Sequence, residues 1–482
     1  VASSGPSAWV VAPPVKGSRA HRSETSARSW SAARAAQSVV VPCLDGTERP
    51  YLSLDAGAST GALPSVAARV QEFLPWYSSV HRGAGHKSQL STTAYEDARE
   101  AIMRFAGREG RDDVAIICRN TTEAINHLAY RMGLAPDDVV VSTVVEHHAN
   151  LLPWRRQASL RFVECGAEGT FDADAVRRAL DAQPHPKLLA VTGASNITGW
   201  LPPLADIIRD AHERDIPVLV DAAQLAPHRP LPADADFVAF SGHKMYAPFG
   251  AGALVGPRSQ FTHGDPFLAG GGAVDLVDLD EVVWTAPPDR EEAGSPNVVG
   301  AVALGAAIGE LERIGSPAIE AHDRALSRRL HAGLRAIPGV NVLGPGAEHD
   351  LLPLAAFAVD GLSHALVAAR LSAEFAIGVR HGCFCAHPYL IRLLGLGHDD
   401  LELFRAAARH HDRRSLPGAV RASAGLSTSA REVDRFLAAV QTLVTTDPPV
   451  PYRLDPVTGD YRPEGHDGPG PASGRSAACT PG

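Results

Sequence analysis

Short apolar runs alternate with helically spaced segments along most of this chain. The runs Val114–Cys118, Val139–Val141, Leu188–Thr192, Val218–Val220 and Phe237–Phe240 are continuous rather than alternating. That is the pattern of strands buried on both faces. Between them, Thr121–Arg131 and Leu204–His212 carry apolar residues at helical spacing. Buried strands alternating with helices predict an α/β fold with a mostly parallel sheet. Ligands in such sheets bind where strands end and loops begin. After about Gly300 the pattern shifts to long Ala/Leu-rich helices, Ala301–Ile314 and Ile319–Ala336, then to short strands such as Ala355–Val359. We therefore expect a large domain, with an N-terminal segment, over residues 39–300 and a smaller α+β domain over 301–446.

The two ends read differently. Residues 1–38 are rich in Ser, Ala, Arg and Pro, contain the single acid Glu24 and show no sustained apolar period. They predict a disordered tail. An organelle transit peptide has a similar composition, and a start codon assigned too far upstream would explain it equally well. Residues 447–482 are rich in Pro, Gly and Ser and are expected to be a loop-like tail. The net charge of −9 gives no footprint for nucleic acid. No apolar run approaches a membrane span, and no secretory signal is evident. Six cysteines in 482 residues are too sparse for a disulfide framework, so the reducing cytoplasm is the expected compartment.

Chemistry concentrates at predicted strand ends. Lys244 follows the run Phe237–Phe240 within Ser241-Gly242-His243-Lys244. A lysine buried at a strand end loses proton affinity, which suits it to aldehyde chemistry. Asp221 closes the preceding run, where a carboxylate could hold the pyridinium nitrogen of pyridoxal phosphate. Gln224, three residues on, could reach the ring's phenolic oxygen. Asn120-Thr121-Thr122-Glu123 opens a helix; it approximates a capping box, and it also offers a phosphate site that Ser241 and His243 could complete. His147 and His148 follow Val139–Val145; neighbours on a strand face opposite ways, so a shared metal is not expected, but one ring could stack on a flat cofactor. Taken alone, each feature also has an ordinary structural reading: a solvated lysine, a turn aspartate, a helix cap, a core histidine.

Together they resemble the class V aminotransferases, and specifically the group II cysteine desulfurases and selenocysteine lyases. The resemblance rests on Leu54-Asp55 with Ala58-Ser59, Val80-His81-Arg82-Gly83, Thr121-Thr122-Glu123-Ala124-Ile125-Asn126, Glu146-His147-His148-Ala149-Asn150 with Pro153-Trp154, Ser195-Asn196, and Val220-Asp221-Ala222-Ala223-Gln224. It continues through Ser241-Gly242-His243-Lys244, Gly270-Gly271-Gly272, Glu292-Ala293-Gly294-Ser295-Pro296-Asn297 and Arg421-Ala422-Ser423. The segments stand in the family's order over roughly four-fifths of the chain. The resemblance implies a pyridoxal-phosphate fold of type I. It implies Lys244 as the lysine that carries the cofactor and moves the substrate α-proton, and His147 as the residue stacked on the ring. Asp221 and Gln224 would meet the ring nitrogen and phenolate, and Thr121, Thr122, Ser241 and His243 the phosphate. Ser295 matches a phosphate ligand supplied by the other subunit, which implies a homodimer. Arg421 is similar to the arginine that clamps the substrate carboxylate, with Asn196 and Arg380 on the substrate side.

The segment Arg380-His381-Gly382-Cys383-Phe384-Cys385-Ala386-His387-Pro388 aligns with the family's persulfide-forming loop and places the nucleophile at Cys385. The family ordinarily has histidines where Cys383 and Phe384 stand. Its usual polar or aromatic residue followed by two alanines is replaced by Ala56-Gly57-Ala58 after Asp55. The Gly-Cys-Phe-Cys run is also similar to the desulfurase domain of molybdenum-cofactor sulfurases, whose extra domain the chain after Arg421 is too short to hold. In an extended strand His381, Cys383, Cys385 and His387 would share a face as metal ligands, but Cys-x-Cys is not a usual zinc spacing and Pro388 disfavours the strand, so no metal is expected. The expected activity is removal of sulfur or selenium from cysteine or selenocysteine to give alanine, through a Cys385 persulfide passed to a protein acceptor. Two alternatives remain. One is a β-lyase, epimerase or aminotransferase acting on a specialised amino acid, since one fold hosts all of these. The other is a non-enzymatic scaffold that delivers or regulates sulfur, against which Lys244, Asp221 and Arg421 speak.

Overall fold

The computed structural model describes residues 39–465 except 82, 347, 415, 456 and 457. The expected disordered segment 1–38, Arg82, and the last part of the C-terminal tail lie outside the described residues. Three short strands come first: β1 (Val40–Pro42) and β2 (Glu48–Pro50), paired antiparallel, then β3 (Leu52–Ser53). The central sheet follows, made of β4 (Asp113–Cys118), β5 (Val139–Thr143), β6 (Ser159–Val163), β7 (Leu188–Thr192), β8 (Val218–Asp221), β9 (Phe237–Ser241) and β10 (Gly252–Pro257). Its order is β4-β10-β9-β8-β7-β5-β6. The strands from β9 to β6 run parallel, and β10 is antiparallel to both neighbours.

The continuous apolar runs are explained by this placement. Every residue of β5, β7, β8 and β9 is buried, because helices cover both faces of the sheet. One core contains Val141, Val191, Val220 and Phe240, and a second on the opposite face contains Ile125, Leu128, Val140 and Leu219. Adjacent strand residues thus feed opposite cores, as the two-residue period requires.

A hairpin, β11 (Val274–Val277) and β12 (Val282–Trp284), leaves the body with Leu276, Val277 and Leu279 exposed. A second sheet has the order β13 (Val340–Leu343), β14 (Leu354–Val359), β17 (Ala419–Ser423), β16 (Arg380–Gly382), all antiparallel. The two-residue strand β15 (Ile377–Gly378) pairs with β3. The change of composition near Gly300 does not coincide with a change of core. The helix Val298–Ile314 buries Leu304, Ile308 and Leu311 in the main core, whereas Ser316–Arg335 sends Leu326, Leu330 and Leu334 into the core of the second sheet.

Two further expectations are corrected. The chain after Thr446 is not all loop: β18 (Tyr452–Leu454) and β19 (Tyr461–Pro463) form an antiparallel hairpin. Tyr452 Oη donates to Glu374 Oε1 at 3.0 Å, and Asp460 lies 3.3 Å from His381. The sequence hid this because each strand is short and half exposed. The strand before His147 ends at Thr143, so His147 and His148 stand at the start of a 3₁₀ turn and not on opposite faces of a strand. Among the described residues no helix is long and apolar enough to cross a membrane.

Candidate active site

Strand ends build the site. β8 ends on Asp221 and β9 runs beside it in parallel, so the turn Gly242–Lys244 carries Lys244 to the same edge. The helix Thr121–Arg131 starts against β9: Thr121 N donates to Ser241 Oγ at 2.7 Å, and the two hydroxyls lie 2.6 Å apart. Asn120 Oδ1 caps this helix by accepting from Glu123 N at 3.0 Å. The second sheet closes the opposite wall through Arg421 on β17 and the turn after β16.

The result is a cavity of about 320 Å³ that includes Thr121, Thr122, His147, Asn196, Asp221, Gln224, Ser241, His243, Lys244, Arg380, Cys385 and Arg421 on its walls. Residues separated by up to 366 positions in sequence meet here. Ser295 does not reach this cavity. It lines a separate cleft of about 880 Å³ with Gly271, Gly272 and His81.

Burial tunes the charges. It pushes Lys244 down to about 8, with Arg421 and Arg380 adding to the effect and Asp221 opposing it. It raises the Asp221 carboxyl, whose one hydrogen bond among the described residues comes from Ala223 N at 3.0 Å. His147 is driven down to about 3 by burial, then by Lys244, so its ring is neutral at physiological pH. Its Nδ1 accepts from Ala149 N at 3.0 Å, which leaves the ring proton on Nε2. Burial likewise lowers His243, and Lys244 adds to it.

Sequence reasoning missed several partners. Gln224 Nε2 donates to Gly57 O at 2.6 Å, which ties the altered Ala56–Gly57 segment to the site. Arg421 is buried: NH1 donates to Asn196 O at 2.9 Å, NH2 to Asp55 Oδ1 at 3.1 Å, and Nε has no partner among the described residues. Asp55 also lies 3.7 Å from Arg380. Glu146 is fully buried and accepts from Thr143 Oγ1, Asn150 Nδ2 and Thr192 N at 2.7, 2.7 and 2.9 Å; burial pushes its carboxyl up to about 8. Asn150 Oδ1 in turn accepts from Trp154 Nε1 at 3.1 Å. Glu146, Asn150 and Trp154, spaced by four, therefore brace the turn that presents His147.

β16 ends at Gly382, and Phe384 and Cys385 take φ of 54° and 56°. His387 opens a helix and stacks on His148 at 5.1 Å between ring centroids. The four alternating residues thus do not share a strand face. The one group of metal-binding type among the described residues, Glu168, Glu348 and His349, includes none of them.

Comparison with known proteins decides the family. The model of the aminotransferase class-V family matches residues 52–436. The chain belongs to the class-V aminotransferases. Two relatives are named cysteine desulfurase or probable cysteine desulfurase. The protein from Dickeya dadantii is 33% identical over 82% of this chain and 92% of its own length. The one from Synechocystis is 34% identical over 82% and 91%. Among solved structures, a cysteine desulfurase from Thermococcus onnurineus superimposes with a TM-score of 0.73 at 32% identity, covering 82% of this chain and 95% of that one. One from Escherichia coli gives 0.70 at 31%, covering 82% and 95%. These carry the α/β fold with its mostly parallel central sheet over to this class-V member. The hairpin β18–β19 lies beyond the family match.

Proposed function

We propose that this class-V enzyme is a pyridoxal-phosphate-dependent cysteine desulfurase that takes sulfur, or selenium from selenocysteine, and leaves alanine. One observation carries the reading: an amine lowered to about 8, a buried guanidinium with an unpartnered Nε, and an exposed thiol line one cavity. The residues fit pyridoxal phosphate. Asp221, buried and held by a single backbone N–H, suits a protonated ring nitrogen. His147 would cover the ring, Gln224 would meet its phenolic oxygen, and Thr121, Thr122, Ser241 and His243 would hold the phosphate at the helix N-terminus. When bound, the cofactor supplies an electron sink conjugated to the substrate α-carbon.

The chain's own residues do the rest. Arg421 binds the substrate carboxylate, with Asn196 and Arg380 beside it. Lys244 takes the α-proton, which requires its neutral form. Cys385 attacks the substrate sulfur; a sulfur–sulfur bond forms as the bond to the β-carbon breaks, and protonation on carbon completes alanine. The persulfide on Cys385 then passes its outer sulfur to a protein acceptor. The exposed Ser295 and the apolar β11–β12 hairpin support a homodimer in which Ser295 serves the partner subunit's phosphate site. The sparse cysteines support a cytoplasmic setting.

The direct test incubates cofactor-loaded protein with cysteine, selenocysteine and a panel of other amino acids, with a thiol reductant. Alanine and sulfide from cysteine are expected. Transamination or racemisation of another amino acid, with no sulfide, would replace this reading by the aminotransferase or epimerase one.

Two further results follow from the geometry. Capture of pyridoxal phosphate by stripped protein should accelerate with pH up to about 8 and level off above it, because only the neutral Lys244 amine reacts. Absorbance of the captured cofactor against pH measures this; a plateau reached only near an ordinary lysine pKa would contradict it. Arg421→Lys keeps the charge but loses the planar fork, and should lower kcat/KM for cysteine by about 2–3 kcal/mol while leaving the bound cofactor's absorbance unchanged.

A further inference from the structure

The turn that carries Cys385 is held in a conformation its sequence does not favour. Ala386 N donates to Cys383 O at 3.0 Å, closing a four-residue turn. Its two central residues, Phe384 and Cys385, both have left-handed backbones, with φ of 54° and 56°. Turns of this kind usually place Gly or Asn there, because a Cβ is strained in that region. Two residues with larger side chains stay there only if their surroundings hold them.

Phe384 supplies the hold. Its ring is 6% exposed and packed in the main core, although it follows a strand of the smaller sheet. The Arg421 guanidinium lies over that ring, 5.2 Å from its centroid. The Phe384 carbonyl accepts from Asn196 Nδ2 at 2.7 Å. The Asn196 carbonyl in turn accepts from Arg421 NH1 at 2.9 Å. Three contacts thus close a ring among Phe384, Asn196 and Arg421, and Cys385 is the next residue in the chain. Its own carbonyl is fixed by His148 N at 2.7 Å. The aromatic face also covers one side of the guanidinium.

We propose that Phe384 is a positioning residue that seats the carboxylate-binding Arg421 and, through the same contacts, holds the Cys385 turn at the cavity. This rests on the roles given to Arg421 and Cys385 above. A cation over a desolvated ring face contributes enough to shift an equilibrium by about tenfold. Losing the ring therefore loosens both ends together: substrate is held less well, and the thiol becomes freer.

The test uses cofactor-loaded protein and the variants Phe384→Ala, Phe384→Leu and Phe384→Tyr. Alkylation of Cys385 by iodoacetamide is followed without substrate, by mass spectrometry of its peptide. Phe384→Ala should alkylate about tenfold faster than wild type and raise KM for cysteine by a similar factor. Phe384→Leu keeps most of the apolar bulk but not the aromatic face, so it should lower Tm less than Phe384→Ala and still show part of both changes. Phe384→Tyr should match wild type in both. Wild-type alkylation and KM in Phe384→Leu and Phe384→Ala would overturn the proposal, as would a change in Tm alone. Because alkylation needs no turnover, a protein that does not desulfurate cysteine yet alkylates faster without the ring would refute the proposed activity and keep this inference.

Discussion

Cys385→Ser is expected to abolish release of alanine and sulfide from cysteine, by a factor on the order of 10³ or more, while cofactor binding stays normal. The serine hydroxyl is not ionised near neutral pH and cannot accept sulfur. Cys385 is exposed, borders the cavity, and shares it with Lys244, Arg380 and Arg421. That is the accessible, electropositive setting a sulfur nucleophile needs. Its neighbour Cys383 is half-buried and packs against the main core. Cys383→Ser should therefore keep at least part of the activity. Brief exposure to cysteine followed by mass spectrometry should find the added sulfur on Cys385. Turnover of cysteine by Cys385→Ser at the wild-type rate would remove the desulfurase mechanism and leave a lyase or aminotransferase. Selenocysteine needs its own assay, because its weaker carbon–selenium bond can break without the thiol; activity confined to it would mark a selenocysteine lyase.

Lys244→Ala should lose α-proton exchange and turnover by a factor of about 10²–10⁴, the usual contribution of a positioned acid–base group. Exchange of the α-hydrogen of alanine in heavy water, read by NMR, isolates this step from sulfur chemistry. The variant should still bind pyridoxal phosphate weakly, since Asp221, His147 and the helix N-terminus remain. Borohydride should fix the cofactor to the wild-type protein at Lys244 and at no other lysine. Exchange at the wild-type rate in Lys244→Ala, or labelling elsewhere, would refute the assignment.

How much of this was legible depended on how local the cause was. The runs Leu188–Thr192, Val218–Val220 and Phe237–Phe240 reveal their strands because burial on both faces demands unbroken apolar sequence. Lys244 and Asp221 were readable as a pair because each ends such a run. β5 ends before its apolar run does: Val144 and Val145 are buried and apolar, yet they belong to a turn that the hydrogen bonds of Thr143 and Glu146 create. The short, half-exposed strands of the β18–β19 hairpin leave no periodic trace in the sequence.

The amino-acid order by itself determined the parallel α/β sheet, the lysine–aspartate pair at its edge and the cysteine on a Gly- and Pro-bracketed loop, since each follows from short-range pattern and residue chemistry. Tertiary structure alone decided that Asp55 and Asn196 grip Arg421, that Phe384 seats the guanidinium, and that the helix Val298–Ile314 joins the larger core. Those contacts join residues tens to hundreds of positions apart. Which distant partner a side chain meets depends on how the two sheets pack, and no local periodicity records it.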